Sequence, residues 1–190
     1  MTWNIHINHI CKKISKGIGI ICKARKSLDE KTLITLYHSF VYPYVSYGIE
    51  IWGKAINNYL SSIFRLQKKV LRIIAHVKMR TESAPLFHKF RILSVYQVHQ
   101  LQILIFMYKY VNGLIPVVFD DFFERLNEIR STRNDGLFRI PLVRTVILQR
   151  ALRYQGVFIW NYYYNRINHY VGYITYKKHV KRYLLNSINS

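Results

Sequence analysis

Acidic residues are scarce in this sequence. Its 190 residues include nine Asp and Glu against 29 Lys and Arg, which gives a formal net charge of +20 and an isoelectric point near 10.1. A field of this sign repels other cationic surfaces and attracts polyanions. Nucleic acid is therefore the first class of partner to consider, and an anionic membrane surface is the second.

Long apolar runs are missing as well. A long stretch without a formal charge, residues 92–108, is too polar for a spanning helix, which needs ~20 predominantly apolar residues. Five polar residues interrupt it: Ser94, Gln97, His99, Gln100 and Gln102. The start, MTWNIHINHICKK, has no apolar run after a basic segment, which argues against a secretory signal. We expect an intracellular protein of the nucleus or cytoplasm, not secreted, with no transmembrane segment.

Cysteine is rare, and the two thiols do not suggest a metal site. Cys11 and Cys22 fit a reducing compartment in which both stay free. Zinc binding together with His6 and His9 is an alternative. On a single helix, however, residues eleven positions apart are separated by ~16 Å, which is too far for one ion to hold both. The sequence predicts no metal site.

Catalytic signatures are also absent. There is no GxGxxG, P-loop, GxSxG or HExxH motif. The stretch VFDDF contains Asp120 and Asp121, but two-metal nucleotidyl transfer needs carboxylates that converge from separate elements. The only earlier aspartate, Asp29, is explained by a place in the first turn of a helix. We therefore assign no catalytic residue and no cofactor to this chain.

The apolar residues that are present recur mainly at helical spacing. Isoleucines at intervals of three and four predict one helix from Trp3 to Lys23, which a break at Gly17 or Gly19 could divide. Ser27 and Glu30 form a capping-box pattern for a helix that begins at Leu28. Pro43 interrupts that helix, and the pattern of residues 44–52 fits either a buried helix or a strand. Trp52 and Trp160 are predicted to be core residues.

Further helices follow, and the last third is predicted to be mixed. A helix begins near Asn58, and a capping box at Ser94 and Gln97 starts a long one that stops at Asn112-Gly113. A turn at residues 134–136 separates the extended segments 137–140 and 144–148, and a basic helix over 176–185 closes the chain. The prediction is a mainly α fold, with a helical domain at residues 1–113 and an Arg-rich segment at 114–190.

The strongest binding signal is a cationic helix face. The four residues are Arg65, Lys68, Lys69 and Arg72, and no acid occurs between Asn57 and Thr81. Because a merely solvated face normally mixes charges of both signs, we interpret this face as a set of phosphate contacts. Weaker candidates are Lys12, Lys13, Lys16, Arg133 and Arg144.

The region from Leu114 to Tyr176 favours the same interpretation. It has eight arginines and no lysine, and guanidinium groups bind phosphate bidentately and stack on bases. The run Tyr162-Tyr163-Tyr164 is equally compatible with base stacking and with core packing.

Several motifs in order resemble a known family. They are Trp3-Asn-Ile-His-Ile-Asn-His-Ile, Tyr47-Gly48-Ile-Glu-Ile-Trp52-Gly53, Leu66-Gln67-Lys68-Lys69-Val-Leu-Arg72-Ile, Pro85-Leu86-Phe87, Tyr154-Gln-Gly156 and Trp160-Asn161. Their order and spacing are similar to the region after the polymerase palm in non-LTR retrotransposon reverse transcriptases of the jockey-like type. The Trp160-Asn161 pair departs from the family by running into tyrosines where a Leu-Pro is usual.

The resemblance implies a helical, thumb-like fragment of an RNA-directed DNA polymerase. The palm, with its Asp-Asp box and Mg²⁺, would belong to the parent enzyme and is missing from this chain. The chain would bind RNA template or target DNA, would have the missing palm as a partner, and would not polymerise alone. The alternatives are a basic amphipathic structural or membrane-surface protein, and a nonfunctional transposon relic.

Overall fold

The computed structural model describes residues 3–54, 57–126 and 136–187. Within these ranges the chain is helical, and its only β pairing is an isolated bridge between Arg125 and Phe138. The predicted mainly α fold is confirmed. The helices are α1 (Asn4–Ala24), α2 (Glu30–Phe40), α3 (Tyr42–Ser46), α4 (Ile49–Trp52), α5 (Asn57–Ile74), α6 (Ala84–Lys89), α7 (Val95–Val111), α8 (Val146–Gln149), α9 (Leu152–Tyr163) and α10 (Tyr173–Asn186), with 3-10 turns at Val117–Phe119 and Tyr164–Arg166.

The chain forms two compact units. Unit 1 comprises Met1–His99 with Leu185–Ser190, and unit 2 comprises Gln100–Leu184, so the boundary falls within α7. The helix stop predicted at Asn112-Gly113 is confirmed, since α7 ends at Val111 and Gly113 has a φ of +63°. The division into residues 1–113 and 114–190 stays a prediction.

Helix α1 of unit 1 is continuous, as its isoleucine spacing predicts. Ile7, Ile14 and Ile21 are fully or almost fully buried. No break occurs at Gly17, and this glycine lies against the end of α2. A Cβ atom at Gly17 would lie 2.6 Å from the carbonyl oxygen of Phe40, whereas one at Gly19 would meet nothing. Gly17 therefore permits a close helix contact.

The start of α2 differs from the prediction. The prediction of a capping box at Ser27 and Glu30 is wrong, because α2 begins at Glu30 and Asp29 is its N-cap. The Asp29 carboxylate accepts a hydrogen bond from the backbone N–H of Thr32 at 3.3 Å. The N–H groups of Ser27 and Leu28 instead bond to the Ala24 carbonyl, in a turn that closes α1. A carboxylate two residues later provides the stronger cap.

The segment that fitted either a helix or a strand is helical. It forms α3 and α4, separated at Gly48, whose φ of +60° favours glycine. Trp52 is buried, as predicted, and its Nε1–H donates to the carbonyl oxygen of Tyr47 at 2.8 Å. This bond closes the α3–α4 turn.

Unit 2 has an aromatic core. The rings of Tyr108 and Tyr176 stack with centroids 4.3 Å apart, which fixes α10 on the second half of α7. Trp160 is buried, as predicted, and its Nε1–H donates to the Gly136 carbonyl at 2.9 Å. The Asn161 side chain both donates to and accepts from the backbone of Phe138. The loop that carries Phe138 is thereby fixed to α9.

The predicted extended segments are only partly present. Residues 144–148 were expected to be extended, but Val146–Gln149 form α8, capped by the Thr145 hydroxyl on the N–H of Leu148. A strand there would need a neighbour to pair with, and a local cap satisfies the backbone without one. The closing basic helix is confirmed as α10, whereas Asn134 and Asp135 of the predicted turn lie outside the described residues.

Candidate nucleic-acid interface

Helix α5 has one buried and one cationic face. Its apolar residues at helical spacing are buried in unit 1: Leu60, Ile63, Val70, Leu71 and Ile74. At 3.6 residues per turn, Arg65, Lys68, Lys69 and Arg72 lie together on the opposite side. Arg65 and Lys69 are exposed, and Lys68 and Arg72 are partly exposed. We call these four residues the α5 basic face.

A buried glutamine fixes the orientation of this face. Gln67 is fully buried on the core side of α5. Its Nε2 donates to the Tyr37 hydroxyl at 3.0 Å and to the Leu93 carbonyl at 3.3 Å, and its Oε1 accepts from the Val95 N–H at 2.7 Å. Three elements are therefore joined by one side chain. Rotation of α5 would break all of these bonds at once.

An aromatic cluster supports Lys68. Its ammonium lies over the ring of Phe64, 4.7 Å from the centroid. That ring stacks on Phe87, at 5.7 Å, and meets the ring of Tyr96 edge-on. The lysine stem is therefore held along α5 while its charge remains available to a ligand.

The loop after α5 adds further cations. The Nε–H of Arg72 donates to the carbonyl oxygen of Thr81 at 2.7 Å, which holds the turn of residues 78–81 beside the end of the helix. Lys78 and Arg80 in this turn are exposed. They were not among the predicted site residues. Their charges are visible in the sequence, but the non-local Arg72 bond that places them is not.

Helix α1 packs against α5 and contributes the predicted lysines. Burial raises the pKa of the Cys11 thiol. The nearby Arg65 guanidinium lowers this pKa and so offsets part of the effect of burial. Lys12 and Lys16 are exposed on α1, and Lys13 is partly exposed. The basic residues of the two packed helices thus belong to the same unit.

No carboxylate neutralises the α5 basic face within the described part of the chain. The ion pairs found there are Lys89–Glu30, at 2.7 Å, and Arg139–Glu124, at 3.3 Å, and both are on the surface. Neither involves a cation of α5. The field of this face therefore remains available to an external anion.

The remaining predicted contacts are Arg144 and Arg133. Arg144 is exposed in the segment before α8, in unit 2, and Arg133 lies outside the described residues. In the tyrosine run, Tyr162 is 53% exposed whereas Tyr163 is buried. The run is thus divided between surface and core. The role of every predicted contact in binding stays a prediction.

The paired aspartates lie on the surface of unit 2. Asp120 and Asp121 are exposed and follow a single 3-10 turn, where the Tyr110 hydroxyl donates to the Asp120 carbonyl oxygen at 2.6 Å. Among the described residues no three His, Cys, Asp or Glu side chains come together as metal ligands. Cys11 and Cys22 are free thiols.

The chain matches no protein-family model, and no curated protein or solved structure matches it. Within the described ranges, no helix is both long and apolar enough to cross a membrane.

Proposed function

We propose that this protein is a helical nucleic-acid-binding module whose α5 basic face holds the phosphate backbone of an RNA template or a target DNA. The observation that carries the proposal is the placement of four cations on one helix face, opposite the core, in a stretch with no acid from Asn57 to Thr81. Lysine and arginine that contact phosphate release condensed counterions, which favours binding. Lys12, Lys13 and Lys16 of α1 add to the same field.

The resemblance of the motifs supports a more specific proposal. The chain corresponds to the thumb and post-palm region of a non-LTR retrotransposon reverse transcriptase. The carboxylates and Mg²⁺ that carry polymerisation would belong to the palm of the parent enzyme. On its own the chain binds nucleic acid and does not extend a primer.

Burial disfavours the membrane-surface alternative. An amphipathic helix binds lipid by inserting its apolar face. The apolar faces of α1 and α5 are instead occupied by packing within unit 1, where Ile14 and Ile63 are fully buried. Lipid insertion would have to disrupt this core, whereas phosphate binding leaves it intact.

Competition between RNA and lipid tests the proposal. The full chain is mixed with labelled single-stranded RNA and with anionic vesicles, and the vesicles are floated. We expect RNA to remove the protein from the vesicles and to retain it in solution. Vesicle binding that excess RNA does not reduce would favour the membrane-surface function, and failure to bind either would favour a relic.

A further inference from the structure

A second surface, on α9 of unit 2, has a different chemistry. Tyr154, Phe158 and Tyr162 follow one another at intervals of four residues and therefore form one stripe of the helix. Phe158 and Tyr162 are 50% and 53% exposed, whereas Val157 and Trp160 are buried on the other side. We call these three aromatic residues the α9 stripe.

Planar groups continue along the α9 stripe. The rings of Tyr154 and Phe158 are parallel to within 10°, with centroids 6.1 Å apart. The guanidinium of Arg166 lies 4.1 Å from the centroid of the Tyr162 ring, and it donates to the Tyr162 carbonyl oxygen. This bond keeps the Arg166 guanidinium next to the ring. The stripe thus forms a row of aromatic rings that ends beside a cation.

The spacing of the α9 stripe fits a strand of bases. Four helical residues advance about 6 Å along the axis, so successive bases of an extended strand can each meet one ring. Exposed aromatic side chains gathered on one face are unusual for a surface that only meets water. A base covers such a ring without needing a defined sequence.

The charge around the α9 stripe matches a phosphate backbone. From Gly136 to the end of the sequence there are six arginines and three lysines, and no Asp or Glu. Arg150 and Arg153 lie near the start of the stripe, and Arg166 lies at its end. An anionic nucleic-acid strand is thus attracted at both ends of the α9 stripe, and no Asp or Glu side chain in this segment repels it.

A cleft adjoins the start of the α9 stripe. Arg153 and Tyr154 line it together with Phe122 and Val157, and its volume is about 430 Å³. That volume is sufficient for one nucleobase. Arg139 also lines the cleft but is paired with Glu124, whereas Arg153 has no ion pair among the described residues. Arg153 is therefore the cation best placed to meet a phosphate here.

We propose that the α9 stripe is a stacking platform for the unpaired bases of single-stranded nucleic acid, with Arg150, Arg153 and Arg166 on its phosphates. Paired bases of a duplex are already stacked on one another, so their faces cannot reach the rings. The inference deepens the proposed function, on which it rests, by naming the class of strand. The stacking platform and the α5 basic face use separate sets of residues, so an experiment can reject either one without the other.

The test compares three probes on the full chain and on the variant Tyr154→Ala/Phe158→Ala/Tyr162→Ala. The probes are a labelled oligouridylate of about 20 nucleotides, an abasic strand of the same length and a duplex. We expect the variant to bind the oligouridylate about 100-fold more weakly or worse, because each stacked base contributes roughly 5- to 150-fold. Its affinity for the duplex and for the abasic strand should stay unchanged.

Matched variants separate stacking from folding. Tyr170 is 90% exposed and lies outside the α9 stripe, so Tyr170→Ala should leave all three affinities unchanged. The pair Tyr154→Phe/Tyr162→Phe keeps the rings and should retain oligouridylate binding. Circular dichroism spectra and melting curves of each variant control for loss of fold.

The outcomes distinguish this inference from the proposed function. Equal affinity of the wild-type chain for the oligouridylate and the abasic strand would overturn the stacking platform, as would an alanine variant that binds oligouridylate normally. Binding that is lost only when the α5 basic face is reversed would leave the proposed function intact and reject the platform. Binding that depends on the α9 stripe and not on α5 would support the stacking platform and reject the role of the α5 basic face. Absence of any binding would reject both.

Discussion

Helices α5 and α9 each bury one face, but they expose different chemistry. The outer face of α5 carries four cations held by a buried glutamine and by an aromatic cluster. The outer face of α9 carries three aromatic rings, with arginines near its ends. A basic composition therefore does not imply a uniform surface. We infer that α5 is suited to the backbone of any nucleic acid and α9 to exposed bases.

The largest expected effect comes from reversing the α5 basic face. Replacing Arg65, Lys68, Lys69 and Arg72 with Glu should weaken binding to RNA and to duplex DNA at least about 100-fold, because four attractive contacts become repulsive. Fluorescence anisotropy with both probes measures this loss. Changes to the α9 stripe, in contrast, should weaken binding to single strands alone.

A charge-matched variant controls for the loss of net charge. It changes four exposed cations of unit 1 outside α5 to Glu: Lys23, Lys26, Lys31 and Lys54. Its affinity should fall much less than that of the α5 variant. Equal losses in the two variants would show that overall charge, and not the α5 face, determines binding.

Loss of the Gln67 side-chain hydrogen bonds should have the next largest effect, which is a decrease in the free energy of unfolding. Gln67→Met leaves the Val95 N–H and the Leu93 carbonyl buried without this partner, and we expect the free energy of unfolding to fall by about 3 kcal/mol. Urea denaturation measures it. The exposed Gln149 on α8 gives a control, since Gln149→Met should change stability by less than about 0.5 kcal/mol. A neutral Gln67→Met would contradict the anchoring of α5.

Acid should destabilise the protein through His99. Burial lowers the pKa of His99 to about 4, and the nearby Lys54 ammonium acts in the same direction. The folded state then binds fewer protons than the unfolded state, so the stabilisation is complete above about pH 6.5 and is lost as pH falls towards 4. The loss amounts to about 3 kcal/mol at most.

Unfolding curves at several pH values check this prediction. The variant His99→Gln cannot be protonated and should lose this part of the pH dependence. The exposed His9 supplies the control, since His9→Gln should retain it. An identical pH dependence in the wild type and His99→Gln would reject the role of His99.

Two glycines of α1 should respond in opposite directions, with the smallest effects. Gly17→Ala places a methyl group against the Phe40 carbonyl and should destabilise the fold by about 1–3 kcal/mol. Gly19→Ala meets open space in a helix interior and should stabilise it by about 0.5–1 kcal/mol. Melting curves of the pair give the signs. Equal shifts would contradict the close contact of α1 with α2.

Long amphipathic helices were predictable because their spacing repeats over several turns. The residues that define α1, α5 and α10 are buried as their periodicity predicts. The capping box of α7 is also confirmed, since Gln97 Oε1 accepts from the N–H of Ser94 at 3.0 Å. Local signals of this kind do not depend on the rest of the fold.

Competing local signals account for the errors. Ser27 and Asp29 both suit an N-cap, and only the turn after α1 shows which one is used. Residues 144–148 are rich in β-branched side chains, which favours a strand, yet the Thr145 cap gives one helical turn. Sequence pattern alone could not rank these alternatives.

The candidate site was predictable only in part. The spacing of the four cations predicts one face of α5, but the bonds that Gln67 makes to Tyr37 and Val95 join residues distant in sequence. Likewise, the sequence suggested the run Tyr162-Tyr163-Tyr164 as a possible stacking surface. The α9 stripe contains only Tyr162 from that run, together with Tyr154 and Phe158. Finding it requires knowing where α9 begins and which face is buried.

The salt dependence of RNA binding reports how many phosphates the α5 basic face contacts. Affinity of the full chain for single-stranded RNA is measured at several salt concentrations. Since each neutralised phosphate contributes about −0.7, four contacts from the α5 basic face predict a log–log slope of about −3 or steeper. The α5 reversal should remove that part of the slope. A slope near zero for the wild-type chain would contradict the claim that this face holds a phosphodiester strand.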